Sequence, residues 1–415
     1  MRVVVVGNGA REHTFATVLA RSAEVVVTPG NPGIPGSVAT PPEQLEADLF
    51  VIGPEIPLVD GLADRLRAAG RLVVGPGADG AELEGSKAFM KQVLLDAGVP
   101  TARHRVFSEA DAAVAFLDEL PGPWVVKTDG LAAGKGVLVA TTRAEAEDDI
   151  RSKLAGQAFG DAGRTVVIEE GMTGPELSVF ALCDGQRAAL MGVARDYKRV
   201  GDGDTGPNTG GMGAYSPVPD LADGVVDEIM AVHIEPTLAE LRRRGIDYRG
   251  FLYAGLMLTP DGPKMVEYNV RFGDPEAQAV LPRITSDLAQ LLASAAAGSL
   301  VGEPTFSPDC CVTVICATEG YPEAPRTGDR IEGLDLARAV DGVEVFAAGV
   351  ARDPAGHLVT AGGRVLAVTG RGVDLDDARR RADEAIGHLY WPGLHRRHDI
   401  AVARPPSPQP DPTRS

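Results

Sequence analysis

The sequence predicts a multidomain protein of mixed α/β and α+β class: an N-terminal doubly wound parallel sheet, a central region carrying a mobile hairpin flap, and a small C-terminal α+β domain. Three observations predict it. Apolar strand runs and helical stretches alternate through the opening segment, a glycine-rich loop at 130–136 is flanked by strands instead of opening a helix, and the last part of the chain has two strand runs followed by one helix.

Taken in order, "RVVVVG" is a continuous apolar run, as expected of a strand buried on both faces, and a glycine turn leads from it into the helix "AREHTFATVLARS". "EVVVTPG", "LFVIGPE" and "RLVVGPG" continue the alternation, which makes the sheet parallel. The helical stretch "SKAFMKQVLLDAGVP" leads into a second region. There "WVVK" and "VLVA" bracket the glycine loop, and "TVVIEEGM" and "LSVFALCDG" are further strands. The run "GDGDTGPNTGGMGAYSPVP" reads as one long loop, and long ordered loops are usually functional. The helix "DGVVDEIMAVHIEPTLAELRRRG" precedes the strands "YAGLMLTP" and "KMVEYNVRF". After about Leu300, the strands "CCVTVICAT" and "GRVLAVTG" and the helix "DLDDARRRADEAIGHL" form the last domain. "ARPPSPQPDPTRS" has the composition of a disordered tail. The expected division is 1–90, 91–300 with a lid at about 106–174, 301–404, and a tail at 405–415.

Forty Lys plus Arg against fifty-eight Asp plus Glu gives a net charge of −18, which excludes a broad basic footprint for nucleic acid but leaves room for a local anion pocket. The cations are uneven: thirty-three are Arg and seven Lys, and five of those lysines (Lys87, Lys91, Lys127, Lys135 and Lys198) fall in or beside the motifs below. The four cysteines lack zinc or redox spacing, so they are expected as buried thiols in a reducing, cytoplasmic compartment. The apolar run at the N-terminus is too short for a signal peptide, and no run approaches the roughly 20 residues of a membrane helix.

The glycine loop is not a Walker P-loop. Three residues separate Gly130 from Gly134, and Gly136, not Ser or Thr, follows Lys135. Its backbone N–H groups can still wrap an anion, with Lys135 as a point charge, but it brings no metal ligand. The first turn, Gly7-Asn8-Gly9-Ala10-Arg11-Glu12, begins as a dinucleotide fingerprint and fails at Glu12, where the third glycine belongs. That leaves a helix N-terminus bearing Arg11, suited to a phosphate monoester. On "KMVEYNVRFGDPE", period-two alternation puts Glu267, Asn269 and Arg271 on one face and Val266, Tyr268 and Val270 on the other. A carboxylate and an amide oxygen suit a magnesium ion that also binds phosphate.

In this order, "GPEIPLVDG", "LEGSKAF", "VVKTDGLAAGKGV", "DYKRVGDGDTGPNTGGMGAYSP" and "NVRFGDPE" resemble the phosphoribosylamine–glycine ligases, or glycinamide ribonucleotide synthetases, of the ATP-grasp superfamily. The resemblance runs to about Arg404. It implies an ATP-grasp core between the terminal domains, a monomer acting on small molecules (glycine, 5-phosphoribosylamine and ATP), a Mg2+ or Mn2+ cofactor, and reaction through a glycyl phosphate. By motif position it puts Lys91, Lys127, Gly130, Gly134, Lys135 and Gly136 on ATP phosphates. Glu169, Glu170 and Glu176 fall on the hinge and ribose side, and Glu267 and Asn269 on the metal. Arg271, Lys135, Asp196 and Lys198 take catalytic positions. Asn8, Arg11, Glu12, Asn31, Glu55, Asn208, Thr209, Gly210, Gly211, Met212 and Arg271 fall on the substrates. Other ATP-grasp carboxylate ligases, a nicotinamide dehydrogenase and a non-catalytic nucleotide sensor are the alternatives to be distinguished.

Overall fold

Four parallel strands open the chain: β1 (Arg2–Gly7), β2 (Glu24–Pro29), β3 (Leu49–Ile52) and β4 (Val73–Val74), in the order β2-β1-β3-β4. The computed structural model describes residues 1–130, 136–156 and 164–402. The Val3–Val6 side chains and all of β3 are buried, as a sheet with both faces covered requires.

A second, antiparallel sheet follows. It comprises β5 (His104–Phe107), β6 (Trp124–Thr128), β7 (Val137–Ala140) and β8 (Val166–Glu170), in the order β5-β8-β6-β7. It has its own core, in which Phe116, Leu117, Val126, Ile150 and Ile168 are buried. β6 and β7 pair directly, Lys127 opposite Val137, so the glycine loop joins two strands of a hairpin as the sequence predicts. Lys135 and Gly134, and the tail at 405–415, lie outside the described residues.

The chain then runs through β9 (Glu176–Asp184), β10 (Ala188–Asp196), β11 (Arg199–Gly201), β12 (Thr205–Asn208), β13 (Gly213–Ser216), β14 (Arg249–Thr259), β15 (Gly262–Asn269), β16 (Cys310–Ala317), β17 (Val343–Ala347), β18 (Val350–Arg352), β19 (Leu358–Thr360) and β20 (Arg364–Gly372). Eight of these make one sheet, β15-β14-β9-β10-β13-β16-β20-β17. One feature corrects the sequence reading and a second adds to it. First, the Gly- and Asp-rich run is not one loop: it folds into the β11–β12 hairpin and then β13. Second, the strands after Leu300 extend the central sheet, because β13 pairs with β10 on one side and β16 on the other. Gly213 permits this, since a Cβ there would stand 2.6 Å from the Thr313 carbonyl oxygen. β10 itself was not anticipated: Gly192, at φ +118°, sits in a bulge that interrupts its apolar alternation.

Candidate active site

Strand register assembles the site. Ser178 of β9 lies opposite Gly255 of β14, which lies opposite Glu267 of β15, and Tyr253 lies opposite Asn269. Residues two apart share a face, so Glu176, Ser178, Tyr253, Glu267 and Asn269 line one side of the sheet. Leu177, Val179, Ala254 and Tyr268 pack on the other. The Tyr268 hydroxyl donates to the His233 carbonyl there, which fixes the packing face.

At one end of this face is a buried charge cluster. Lys91 and Lys127 place their amines 3.1 and 2.9 Å from the same Glu169 oxygen, with all three side chains at most 5 % exposed. Lys91 also donates to Thr101 Oγ1, and Lys127 to the Val266 carbonyl. Burial pushes Lys91 down to about 8 despite Glu169. Burial works against ionisation of Glu169, yet Lys127 and Lys91 hold it below the usual carboxylate range. The cluster carries more positive than negative charge, which suits an anionic ligand. Glu169, expected on the hinge and ribose side, is the buried counter-charge of the two lysines. Glu170 accepts from the Arg103 backbone N–H.

Glu267 has a related setting. Burial opposes its ionisation, but Lys198, Lys127, Lys87 and Arg271 keep it charged. No described residue donates a hydrogen bond to it. Asn269 Oδ1 accepts from Arg271 Nη2 at 3.1 Å. A charged carboxylate beside an amide oxygen is a donor set that fits a hard divalent cation.

Lys198 pairs with Glu176 and lies 3.8 Å from Asp196. Burial, together with Glu276 and Glu176, pushes Asp196 up to about 7 even against Lys198. Arg271 lies just beyond the end of β15, so its position is set by the turn after Asn269 and not by strand alternation. A bulge between Gly255 and Leu256 also breaks the simple register. The guanidinium nevertheless meets Asn269, and its other side-chain partners are Glu84 (2.7 Å) and Glu55 (3.3 Å). Burial alone would lower Arg271, but Glu84 and Glu55 outweigh it and raise the pKa.

In the N-terminal turn several residues expected on substrate make contacts within the protein. Glu12 is buried; it accepts from the Gly9 N–H and from Arg11 Nε, both at 2.7 Å. It also fills the crevice between strand ends, where a Cβ on Gly53 would come within 2.0 Å of its carboxylate. No pyrophosphate can approach as in a dinucleotide site, and Glu12 is a cap, not a ligand. Arg11 is occupied by Glu12 and by the Phe272 carbonyl. Asn31 is a clamp: its Nδ2 donates to the Asn8 and Ala348 carbonyls, and its Oδ1 accepts from the Gly33 N–H. Asn8 remains exposed at the mouth of the turn.

In the segment expected to contact the substrates, Asn208 pairs with Arg199, and Thr209 donates to the Lys198 carbonyl. The Gly210 N–H donates to the Tyr321 hydroxyl. Gly211, at φ +108°, is packed so closely that a Cβ would stand 2.4 Å from Pro275. Met212 is fully buried, with its backbone engaged by Tyr197 and Ile315, so its side chain is core and not a substrate contact. Sequence reasoning missed Glu84, Asp274, Glu276 and Arg364. Arg364 pairs with Asp274 and donates to the Gly210 carbonyl, and Glu276 accepts from the Tyr253 hydroxyl. Asp274 and Glu276 sit in the "GDPE" run and Glu84 in the "LEGSKAF" run of the recognised motifs, which was the available signal; Arg364 is reached only through the fold.

The three domain models of phosphoribosylglycinamide synthetase match in sequence: the N domain over residues 1–84, the ATP-grasp (A) domain over 85–277 and the C domain over 311–403. The chain belongs to the phosphoribosylglycinamide synthetase family. A phosphoribosylamine–glycine ligase of Xanthomonas axonopodis pv. citri is 47 % identical to this synthetase-family chain, over 97 % of this chain and 99 % of that one. One from Caulobacter vibrioides is also 47 % identical, over 96 % and 97 %. The crystal structure of the Thermotoga maritima phosphoribosylamine–glycine ligase superposes with TM-score 0.86 at 33 % identity, over 97 % of this chain and all of that one. A biotin carboxylase domain from Hydrogenobacter thermophilus shares the fold alone, at TM-score 0.73 and 16 % identity. Among the described residues no helix is long and apolar enough to cross a membrane.

Proposed function

We infer that this chain ligates glycine to 5-phosphoribosylamine with ATP, giving glycinamide ribonucleotide, ADP and phosphate for purine biosynthesis. The observation that carries the reading is the sheet face itself, where an excess of buried lysine charge, a metal-type oxygen pair and a carboxylate-held arginine converge within a chain that matches all three domains of the family.

Carboxylate oxygen is a poor leaving group, so the glycine carboxylate is first phosphorylated. The phosphoribosylamine nitrogen then attacks the carbonyl carbon of the glycyl phosphate, and the C–O bond to phosphate breaks. Lys91 and Lys127, with Gly130, Gly136 and the loop bearing Gly134 and Lys135, hold the nucleotide phosphates. Arg271 orients the reacting carboxylate through its planar fork. Lys198 neutralises charge developing on the phosphoryl oxygens. Asp196, poised near neutrality, accepts the proton that the attacking nitrogen loses. Enzymes of this superfamily use a divalent cation with ATP. Glu267 and Asn269 would hold it, as magnesium or manganese, and its charge offsets that of the phosphates. Thr209, Gly210 and Gly211 close over the glycine side, while Asn8, Glu55 and the Arg11 turn face phosphoribosylamine. The reading extends to residues 1–90, 91–300 and 301–404 as working domains, residues 106–174 as a lid, and a cytoplasmic monomer whose site draws on one chain alone.

The test is ADP release with glycine and freshly made phosphoribosylamine, each omitted in turn. Turnover should require both; ADP release with bicarbonate or formate in place of glycine would refute the substrate assignment.

A further inference from the structure

A cleft of about 460 Å³ opens between the N-terminal helix Ala10–Leu19 and the edge strand β17. His13 and Thr17 line it from the helix, Pro32–Pro35 from the loop after β2, Glu344–Phe346 from β17, and Arg338, Arg352 and Leu358 from the C-terminal part. The candidate active site uses none of these groups.

Its polar lining is not satisfied by the protein. His13 is 6 % exposed, and its Nδ1 accepts the Ala347 N–H at 2.8 Å. Burial, with Arg338 adding to it, lowers His13 to about 4, so the ring is neutral and its proton sits on Nε2. No described residue accepts from Nε2. Arg338 makes no hydrogen bond or ion pair with a described residue, and Arg352 uses one donor, on the Gly356 carbonyl. Opposite them Glu344 is half-buried, and its Oε2 is buried without a partner. Ile34, Pro35, Val345, Phe346 and Leu358 supply apolar walls. Arg338 and Arg352 stand exposed at the mouth of the cleft, the His13 Nε2–H has no described acceptor and Glu344 Oε2 is buried without a partner, so cationic and hydrogen-bonding groups surround apolar walls, a lining that suits an anionic ligand with a flat apolar part.

We propose that this cleft binds a nucleoside monophosphate, with the phosphate on Arg338, Arg352 and His13 Nε2–H, a hydroxyl or amine of the ligand on Glu344, and the flat base against the apolar walls. The site also reaches the active-site turn. Ala347, which bonds His13, neighbours Ala348, whose carbonyl holds Asn31, and Asn31 in turn holds the Asn8 carbonyl. A ligand wedged between helix and strand therefore biases the placement of Asn8 and alters the Michaelis constant for phosphoribosylamine more than that for ATP.

The experiment is calorimetric titration of the full chain with its ATP site saturated by a non-hydrolysable ATP analogue, using AMP, inorganic phosphate and adenosine as separate probes. AMP should bind more tightly than either fragment, and Arg338→Ala should weaken it about ten- to a hundredfold, as expected for loss of a charge-assisted hydrogen bond. Arg338→Lys should recover part of this. Arg338 is exposed and makes no hydrogen bond or ion pair with a described residue, so both variants should keep the parent's melting temperature and ATP Michaelis constant. No heat with AMP, or AMP binding unchanged in Arg338→Ala, would overturn the site; phosphate binding as tightly as AMP would overturn the pocket for the base.

Discussion

Replacing Glu169 by Gln should destabilise the protein by an amount the structure fixes, and ATP should restore more of it than it adds to the parent. Lys91 and Lys127 stand 3.1 and 2.9 Å from one Glu169 oxygen, so their amines are at most about 6 Å apart. Two unit charges at that separation repel by about 3 kcal/mol at an effective dielectric of ~20. Glutamine keeps the shape and removes the counter-charge that both amines touch. The general cost of leaving a buried charge unpaired, ~3–5 kcal/mol, agrees with this figure. The melting temperature should fall on the order of 5 °C. Two controls separate this account from a generic packing defect. Lys91 is pushed down to about 8, so at pH 9 it is largely neutral in the folded parent and the cost of the substitution should shrink. ATP at a hundred times its dissociation constant stabilises any binder by about 2.7 kcal/mol, and in the variant its phosphates also replace the missing negative charge. Differential scanning fluorimetry at pH 7 and 9, with and without ATP, reads all four cases. An unchanged melting temperature, or an ATP shift no larger than the parent's, would refute the cluster as a phosphate site.

Glu267→Gln should cut turnover severely and recover in part at high magnesium or manganese, whereas Arg271→Lys, which keeps charge but loses the fork that meets Glu84, should not respond to metal; metal titration of ADP release checks both. Because Asp196 is raised to about 7, catalytic efficiency should climb as pH rises through neutrality and its carboxylate forms, and Asp196→Asn should lower activity and abolish that limb of the pH profile. His13 is held near 4 in the folded state against an ordinary 6.5, so between those values the unfolded chain takes up a proton that the folded one refuses. Stability is therefore full above about 6.5 and lost as pH falls, by about 3 kcal/mol at pH 4; His13→Gln, which can still accept the Ala347 N–H, should flatten that part of a stability-against-pH curve measured by urea unfolding.

Local pattern made some of the site legible and concealed the rest for identifiable reasons. The β6–β7 hairpin and the pairing of Glu267 with Asn269 follow from period-two alternation and glycine spacing, which need no knowledge of distant parts of the chain. Arg271 was found for an incomplete reason: β15 ends at Asn269, and the guanidinium returns to the site because Glu84 and Glu55 draw it there. Glu84 is 187 residues away in sequence, and Arg364 is 154 from Gly210; no local periodicity reports such pairs. Glu12 carried a readable signal, since a carboxylate where a third glycine belongs must go somewhere. The sequence could not say that it turns inward to cap its own helix and hold Arg11.

Continuity of the central sheet through β13 changes what the C-terminal part is for. A separate small domain could drift relative to the catalytic face, but here β16 is hydrogen-bonded to the strand that leaves the loop expected to contact the substrates. The loop is then fastened from the same side. Arg364 Nη1 donates to the Gly210 and Asp274 carbonyls at 2.6 and 2.8 Å, so one guanidinium ties the loop to the turn that follows Arg271. The β11–β12 hairpin is held by Arg397, which is fully buried, donates to Asp204 and to the Arg199 carbonyl, and lies over the Tyr197 ring. The Gly203 N–H donates to Asp399, and the Val200 carbonyl contacts His395. Lys198 and Thr209 sit at the two ends of that hairpin, so its anchorage fixes where both can reach. A loop this rich in glycine would otherwise lose much conformational entropy on each closure over substrate. By pre-ordering the hairpin, the C-terminal segment shifts that cost from any closure over a ligand to folding.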